Sequence, residues 1–279
     1  MSVSSIGKLY LVATPIGNLS DISKRAIETL QEVDFIAAED TRVTRKLLEH
    51  LRIKKTLVSY YKHNSRVSGE KVLERILGGE NCALVTDAGT PGISDPGEDL
   101  VRLCAEENIP MAIIPGPCAA ISALALSGIK SERFIFEGFL PVDKKKRSSI
   151  LDELKTETRT LVFYEAPHKL IRTLNDLLTS FGDRNVSISR EMTKIYEETL
   201  RLSLSEAAAH FESTPPRGEF VIVVEGMTHH AGTDKYLDDG VRISMVLIEN
   251  GLSVKDAVKK AADETGCSKN ALYKAVLAD

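Results

Sequence analysis

The residues from Thr86 to Gly97, TDAGTPGISDPG, combine the side chains and the backbone freedom that a ligand site needs. Three glycines let backbone N–H groups approach a ligand closely, two prolines stiffen the loop, and two aspartates can accept hydrogen bonds from a hydroxyl or an ammonium. A tight surface turn is the simpler interpretation of these residues. Because open α/β sheets bind ligands in the loops at the carboxyl ends of their strands, we favour a binding site.

Two other Gly/Pro loops follow predicted strands of the same sheet. TPIGN at 14–18 follows KLYLVA, and PGPC at 115–118 follows the apolar run 111–114. We therefore expect the three loops to converge on one rim. The first loop has only Gly17 where a dinucleotide fold has GxGxxG, and the chain contains no GxxxxGK[ST], HExxH or GxSxG. These patterns disfavour NAD, P-loop, zinc-protease and nucleophile-elbow chemistry.

Several ionisable side chains lie near these loops and each has two interpretations. Glu39 and Asp40 end a predicted strand, where an acid can accept ribose hydroxyls or cap the helix that follows. His63 in a polar loop can serve as a base or a phosphate donor, or can simply be solvated. Arg42 and the KKKR cluster at 144–147 can hold phosphates of a polyanion or cover solvated helix surfaces.

Strands alternating with helices must position these residues. Over the first 125 residues or so, the pattern predicts a mostly parallel sheet with helices on both faces. We expect strands at 8–13, 35–38, 56–59, 82–85 and 111–114, and helices at 22–32, 72–77, 100–106 and 119–126. The tract 134–141 resembles a boundary. A second α/β unit then has predicted strands at 160–164, 186–189 and 220–224 and helices at 167–180 and 205–212.

The last segment of the chain is predicted to be helical and to follow a polar linker at 227–234. Gly266 and the capping residue Ser268 separate two amphipathic helices, an arrangement similar to a helix-turn-helix. Such a module either contacts nucleic acid or serves as a dimerisation or capping tail. We therefore expect an N-terminal α/β domain at 1–130, a second α/β domain at 131–228 and a helical module at 235–279.

Composition limits the class of protein. The 279 residues are 43% hydrophobic, and the net charge of −4 does not indicate a nucleic-acid binder, although an acidic average can hide a basic face. Four widely spaced cysteines without a CxxC pair indicate reduced thiols and no metal site. No signal pattern and no apolar run of about 20 residues is present, so we expect a soluble, cytoplasmic protein without a membrane association.

Several motifs of the chain resemble the small-subunit ribosomal RNA cytidine 2′-O-methyltransferase I group of the tetrapyrrole methylase superfamily. They are GKLYLVATPIGNLSDISKRA, AAEDTR, ALVTDAGTPGISDPG, PGPCA, FEGFLP, FYEAPHK, SREMTK and RGEFVIVVEG, and they occur in order between Gly7 and Gly226. The resemblance implies two α/β domains that meet at a cleft, S-adenosylmethionine in that cleft, and a homodimer. The superfamily's glycine-rich first loop of GxGPGD type is replaced here by ATPIGN, which argues against a porphyrin-type substrate.

The resemblance also implies which residues contact the cofactor. Pro15 and Ile16 line the floor of the site, and the remaining contacts come from loops and strand ends of both domains: Asp87, Gly89, Ile93, Cys118, Ala119, Tyr164, Met192, Gly218 and Glu219. The expected reaction transfers a methyl group to the ribose 2′-hydroxyl of a cytidine in 16S ribosomal RNA, within the free RNA or the small ribosomal subunit.

Candidate proton acceptors are Asp40, His63 and Lys194, and candidate RNA-phosphate ligands are Arg42, Lys144, Lys145, Lys146 and Arg147. One alternative is a C-methyltransferase acting on a tetrapyrrole such as a precorrin or uroporphyrinogen. The other is a non-enzymatic regulator that binds DNA through its last helices.

Overall fold

A computed structural model of the protein describes residues 6–61, 65–227 and 233–277. The chain forms two compact units, Met1–Gly226 and Met227–Asp279. The first unit contains two separate five-stranded sheets, and the second is helical. The expected division of the first unit at residue 130 remains a prediction.

The first sheet consists of β1 (Leu9–Val12), β2 (Phe35–Ala38), β3 (Thr56–Ser59), β4 (Cys82–Val85) and β5 (Met111–Ile114). Its order is β3-β2-β4-β1-β5 and every pair is parallel, which confirms the predicted parallel sheet. The helices between and after these strands are α1 (Lys24–Glu32), α2 (Thr41–His50), α3 (Ser65–Leu77), α4 (Gly97–Glu106) and α5 (Ala119–Ser127). Helix α1 begins two residues later than predicted because Ser23 caps it by accepting a hydrogen bond from the Ala26 N–H.

Both faces of this sheet are covered by helices. Along β2, Phe35 and Ala37 pack into one apolar cluster, whereas Ile36 and Ala38 pack into another on the opposite face. This alternation follows from the two-residue period of a strand. Since all strands run the same way, their carboxyl ends share one edge, and the loops that leave them are brought together there.

The second sheet is mixed. Its strands are β6 (Phe134–Phe139), β7 (Thr160–Glu165), β8 (Asn185–Arg190), β9 (Glu198–Ser203) and β10 (Phe220–Val224), in the order β6-β7-β10-β8-β9. Only β6 and β7 are parallel to each other. The helices of this region are α6 (Lys144–Leu154), α7 (Leu170–Phe181) and α8 (Leu204–Ser213), with a single-turn helix at Pro167–Lys169.

Two strands of this region were not predicted. The tract taken as a boundary is strand β6, which pairs with β7 across a register shift between Phe136 and Gly138. Strand β9 was missed because its sequence, ETLRLS, contains few apolar residues and most of them are only partly buried. Strand β9 is held in the sheet by its antiparallel pairing with β8, which its composition does not predict.

The second unit contains α9 (Thr233–Glu249), α10 (Val254–Thr265) and α11 (Lys269–Val276). Gly266 ends α10 with a left-handed φ of 75°, as its position predicts. Ser268 precedes α11 but its side chain makes no capping hydrogen bond, so the expected cap is wrong in that detail. Of the predicted linker, residues 228–232 lie outside the described residues. No helix in the described ranges has the length and apolar content to cross a membrane.

Candidate functional site

The three Gly/Pro loops meet at one edge of the first sheet, as predicted. Thr14 and Gly89 exchange backbone hydrogen bonds of 2.9 and 3.1 Å. The Thr14 hydroxyl donates to the Thr86 carbonyl at 3.2 Å, and the Thr90 hydroxyl donates to the Pro117 carbonyl at 3.2 Å. The loops are therefore tied to one another and form one continuous surface.

A cavity of about 620 Å³ lies against these loops and is closed on the other side by strand ends of the second sheet. Of the expected cofactor residues, Pro15 and Gly218 do not line the cavity. The others do: Ile16, Asp87, Gly89, Ile93, Cys118, Ala119, Tyr164, Met192 and Glu219. Glu39, Asp95, Glu165 and His168 also line it. Residues from motifs that are far apart in the sequence thus line one cavity.

Gly218 supports the cavity without lining it. Its φ is +84°, and a Cβ atom at this position would lie 2.4 Å from the Cγ atom of Glu191. Glu191 in turn accepts a hydrogen bond from Lys194 Nζ at 3.0 Å. A glycine is needed here because both the backbone conformation and the space exclude a side chain.

The cavity is strongly acidic. Five carboxylates and one lysine line it: Glu39, Asp87, Asp95, Glu165, Glu219 and Lys194. Partial loss of solvent around its carboxyl group, and then the charge of Glu39, raise the pKa of Asp87, whose Oδ1 accepts a hydrogen bond from the Asp40 N–H at 3.0 Å. This excess of negative charge favours a cationic ligand and disfavours a phosphate.

Lys194 lies in the cavity wall, where it is paired with two carboxylates. Its Nζ donates to Glu191 at 3.0 Å and to Glu219 at 3.1 Å. Burial lowers the pKa of Lys194, but the two carboxylates outweigh this effect and the net pKa is raised. The two carboxylates stabilise the ammonium form of Lys194, which has no lone pair to take a proton, so this geometry does not favour the expected role of proton acceptor, which stays a prediction.

Asp40 is also poorly suited to accept a proton. It caps α2 by accepting from the Arg42 N–H at 2.8 Å, and it forms an ion pair with the Arg42 guanidinium at 2.6 Å. These hydrogen bonds to Arg42 lower the pKa of Asp40 to about 2. Asp40 does not line the cavity, whereas its neighbour Glu39 does and accepts from the Thr86 hydroxyl at 2.7 Å. The third candidate, His63, lies outside the described residues.

Aromatic side chains form part of the cavity wall, which includes Phe139 and Tyr164. Tyr164 packs between Phe136 and Phe139, with ring centroids 5.0 and 5.5 Å away. Its hydroxyl accepts from the Ala120 N–H at 3.1 Å, and burial raises the pKa of Tyr164 to about 12. Helix α5 begins beside this wall, and its N-cap Cys118 makes no side-chain capping bond. The Ala120 N–H is already paired with Tyr164, so the other N–H groups of the first turn, on Ala119 and Ile121, are the ones suited to receive an anionic group.

His168 is the residue that sequence reasoning missed. Among the Asp, Glu, His and Lys side chains of the lining, it alone makes no hydrogen bond or ion pair within the part of the chain that the structure describes. Its imidazole is exposed at the single-turn helix that follows β7. The FYEAPHK motif contained the signal, but nothing in its composition assigned a role to the histidine.

The expected phosphate ligands separate into two groups. Lys144, Lys145 and Lys146 are exposed on the first turn of α6. Arg147 is only 5% exposed, so it is not a free surface cation as expected. Its Nε donates to Asp176 at 2.6 Å and its Nη2 to the Thr173 hydroxyl at 2.8 Å. The helical period turns this residue inward while its three neighbours face solvent.

Arg147 belongs to a buried polar network that reaches the cavity. The Thr173 hydroxyl donates to Glu165 at 2.5 Å, and the other Glu165 oxygen accepts from the Ala166 N–H at 2.9 Å. Glu165 is 3% exposed and lines the cavity. The network therefore fixes the end of β7, on which the cavity depends.

Replacing Arg147 with methionine is expected to lower the free energy of unfolding by about 2–4 kcal/mol, because Asp176 and Thr173 lose their partner in a largely buried site. Urea unfolding monitored by circular dichroism measures this change. Arg102→Met is the matched control, since Arg102 pairs with Asp99 and Glu106 on the exposed face of α4 and should cost less than about 1 kcal/mol. Equal losses in the two variants would contradict a structural role for the network.

The sequence matches two family descriptions. Residues 8–208 match Tetrapyrrole (Corrin/Porphyrin) Methylases, and residues 245–279 match the RsmI C-terminal HTH domain. Proteins called ribosomal RNA small subunit methyltransferase I are similar over most of the chain. The one from Synechocystis is 46% identical and covers 96% of each chain, and the one from Bacillus subtilis is 43% identical and covers 98% of this chain and 94% of its own. The one from Thermotoga maritima is 50% identical over 79% of this chain and 99% of its own.

Solved structures share the fold at low identity. A diphthine synthase superposes with a TM-score of 0.64 at 14% identity, over 82% of this chain and 94% of its own. A uroporphyrin III C-methyltransferase from Thermus thermophilus superposes with a TM-score of 0.56 at 17% identity, over 78% of this chain and 97% of its own. These similarities extend to the fold alone.

Proposed function

The chain belongs to the tetrapyrrole (corrin/porphyrin) methylase family and, within it, to the ribosomal RNA small subunit methyltransferase I group, and we infer from this that it methylates small-subunit ribosomal RNA. The observation that carries the inference is identity of 43–50% with relatives of that name over most of the chain. We further propose that the methyl donor is S-adenosylmethionine and that the acceptor is the ribose 2′-hydroxyl of a cytidine in 16S ribosomal RNA.

The side chains of the large cavity suit S-adenosylmethionine. Ile16, Ile93 and Met192 offer apolar surface to its adenine ring, and Asp87 offers negative charge to its sulfonium and ammonium groups. At the start of α5, the N–H groups of Ala119 and Ile121 are placed to hold its carboxylate, beside the Ala120 N–H that donates to Tyr164. When bound, the cofactor supplies an electrophilic methyl group.

His168 is the proposed proton acceptor. A ribose hydroxyl must lose its proton as it accepts a methyl group, and a base within hydrogen-bond reach speeds this loss. The carboxylates of the cavity already accept hydrogen bonds from the protein, whereas His168 has no partner among the described residues. The remaining demand on the protein is alignment of the hydroxyl with the methyl group.

The test incubates the protein with labelled S-adenosylmethionine and, in separate reactions, undermodified small ribosomal subunits, naked 16S ribosomal RNA and uroporphyrinogen. We expect label in RNA, and the first two reactions identify which form of the RNA is the substrate. Label only in the tetrapyrrole would establish the C-methyltransferase alternative. An absence of transfer to any acceptor would favour a non-enzymatic regulator.

We also propose where the enzyme acts, its oligomeric state and its phosphate ligands. The enzyme acts in the cytoplasm, because its RNA substrate is made and assembled there. It acts as a homodimer, as the sequence resemblance implies. Its phosphate ligands include the exposed Lys144, Lys145 and Lys146 and, near the acidic cavity, Arg42, whose side chain is 84% exposed.

The affinity for the cofactor is expected to fall as the pH is lowered. A carboxylate attracts a cationic ligand only while it is ionised, and the pKa of Asp87 is raised by burial and by Glu39. The attraction is therefore complete above this raised pKa and is lost as pH falls through it, at a higher pH than for an ordinary aspartate. Calorimetric titrations from neutral pH down to the pH range in which an ordinary aspartate titrates measure the loss, and Asp87→Asn should flatten the profile. An equally steep profile in that variant would assign the effect to another group.

A further inference from the structure

A second cavity, separate in its lining residues from the first, lies in the groove between helices α6 and α7. Its volume is about 390 Å³, and three cations line it: Lys144 and Arg147 from α6, and Arg172 from α7. Asp176 is the one acid in its lining. The groove therefore has more positive than negative charge, the reverse of the first cavity.

The two arginines share a single carboxylate. Arg147 Nε lies 2.6 Å and Arg172 Nε lies 3.7 Å from the same Asp176 oxygen. The Arg147 side chain is 6% exposed and is held by Thr173 as well, whereas the Arg172 side chain is 50% exposed and only loosely held. Within the described residues, Nη1 of Arg147 has no hydrogen-bond partner. The groove thus combines a fixed guanidinium at its base with a second one that is free to turn toward a ligand.

The ligand chemistry follows from this arrangement. Guanidinium groups bind the oxygens of a phosphate through paired N–H donors. The exposed Ser148 hydroxyl also lines the groove and donates to Asp152 at 3.4 Å. Lys144 lies on the first turn of α6, where the helix dipole also favours an anion. The groove is suited to a single phosphate group rather than to a nucleobase, since its only apolar lining residue is Leu151.

The acidity of the first cavity explains why such a site is needed outside it. An RNA strand whose cytidine enters a cavity with five carboxylates and one lysine is repelled through its phosphates, so its attraction must come from the surrounding surface. The groove is close to that cavity, because Thr173 bonds both Arg147 in the groove and Glu165 in the cavity, at 2.8 and 2.5 Å. A single threonine side chain links the two sites.

We propose that the groove between α6 and α7 binds a phosphodiester group of the RNA strand that enters the first cavity. This proposal rests on the proposed function, since it assumes an RNA substrate. Lys144 and Arg172 contact the phosphate directly, and Arg147 supplies the fixed charge at the base of the groove.

The test uses Arg172→Gln in the full-length protein, with Arg102→Gln as the matched control. Both arginines are about half exposed. Arg172 pairs with Asp176 and Arg102 with Asp99 and Glu106, in each case on the same helix, but only Arg172 lines the groove. We expect Arg172→Gln to weaken binding of undermodified 16S ribosomal RNA by roughly tenfold and to reduce the slope of log K against log salt by about one. Cofactor affinity and the rate at saturating RNA should not change. Arg172→Lys, which keeps the charge, should recover much of the binding.

Two outcomes would overturn the proposal. Binding and salt dependence that match those of Arg102→Gln in an enzyme that methylates RNA would reject the groove and leave the proposed function intact. A wild-type protein that neither binds nor methylates the RNA would reject both. Lys144→Gln provides an independent variant on α6, and thermal unfolding of each variant shows that the fold is retained.

Discussion

Replacing His168 with glutamine is expected to lower the rate of methyl transfer at saturating substrates by about a hundred- to ten-thousandfold, the usual contribution of a positioned acid or base. The amide of glutamine retains polarity and approximate size but cannot take the proton of the ribose hydroxyl. Because His168 makes no hydrogen bond or ion pair within the described residues, its removal should leave cofactor affinity and stability nearly unchanged. Single-turnover kinetics with labelled cofactor measure the rate.

His50→Gln is the control for this experiment, because His50 is exposed at the end of α2 and does not line the cavity. It should react at the wild-type rate. A His168 variant with a wild-type rate over the neutral pH range would show that the proton passes to another group or to water.

Asp87→Asn is expected to weaken binding of S-adenosylmethionine by about tenfold to a hundredfold, since a hydrogen bond to a charged group is worth about 1.5–3 kcal/mol. Its partner in the free protein is the Asp40 N–H, at 3.0 Å. The amide oxygen of asparagine can accept that hydrogen bond, so the thermal stability of the cofactor-free protein should change little. Isothermal calorimetry gives the affinity, and Glu132→Gln, at an exposed position without partners in the described structure, is the control.

The Asp87→Ala variant separates the binding role from a structural one. It removes the acceptor for the Asp40 N–H, but that hydrogen bond lies in an exposed position and its loss should cost little stability. Weak cofactor binding with nearly normal stability is the expected result. A large loss of stability in the cofactor-free protein, with normal affinity, would support a structural role for the turn instead.

The elements of the first sheet could be predicted because each strand is a short run rich in apolar residues and is bounded by loop residues. β2, β4 and β5 have the predicted limits, and the loops that follow β1, β4 and β5 meet as expected. In a parallel sheet the carboxyl ends of the strands share one edge, so local sequence and general topology together fix the position of the loops.

The details of the site depended on contacts that local sequence does not contain. Asp40 and Glu39 are adjacent acids, and only the capping of α2 decides that Asp40 turns toward Arg42 while Glu39 lines the cavity. Arg147 lies in a run of four basic residues, yet its position on α6 turns it toward Asp176 in α7. Both outcomes follow from helix geometry and from partners distant in sequence, which a composition-based interpretation cannot rank.

The position of the transferred methyl group decides whether the enzyme is a ribose 2′-O-methyltransferase. Alkaline hydrolysis of RNA requires a free 2′-hydroxyl, so a methylated ribose protects the phosphodiester bond that follows it. After labelling of undermodified small-subunit RNA and complete alkaline hydrolysis, we predict that the label is found in an alkali-resistant dinucleotide that begins with cytidine. Label in mononucleotides, which would indicate methylation of a base, would contradict the proposed reaction.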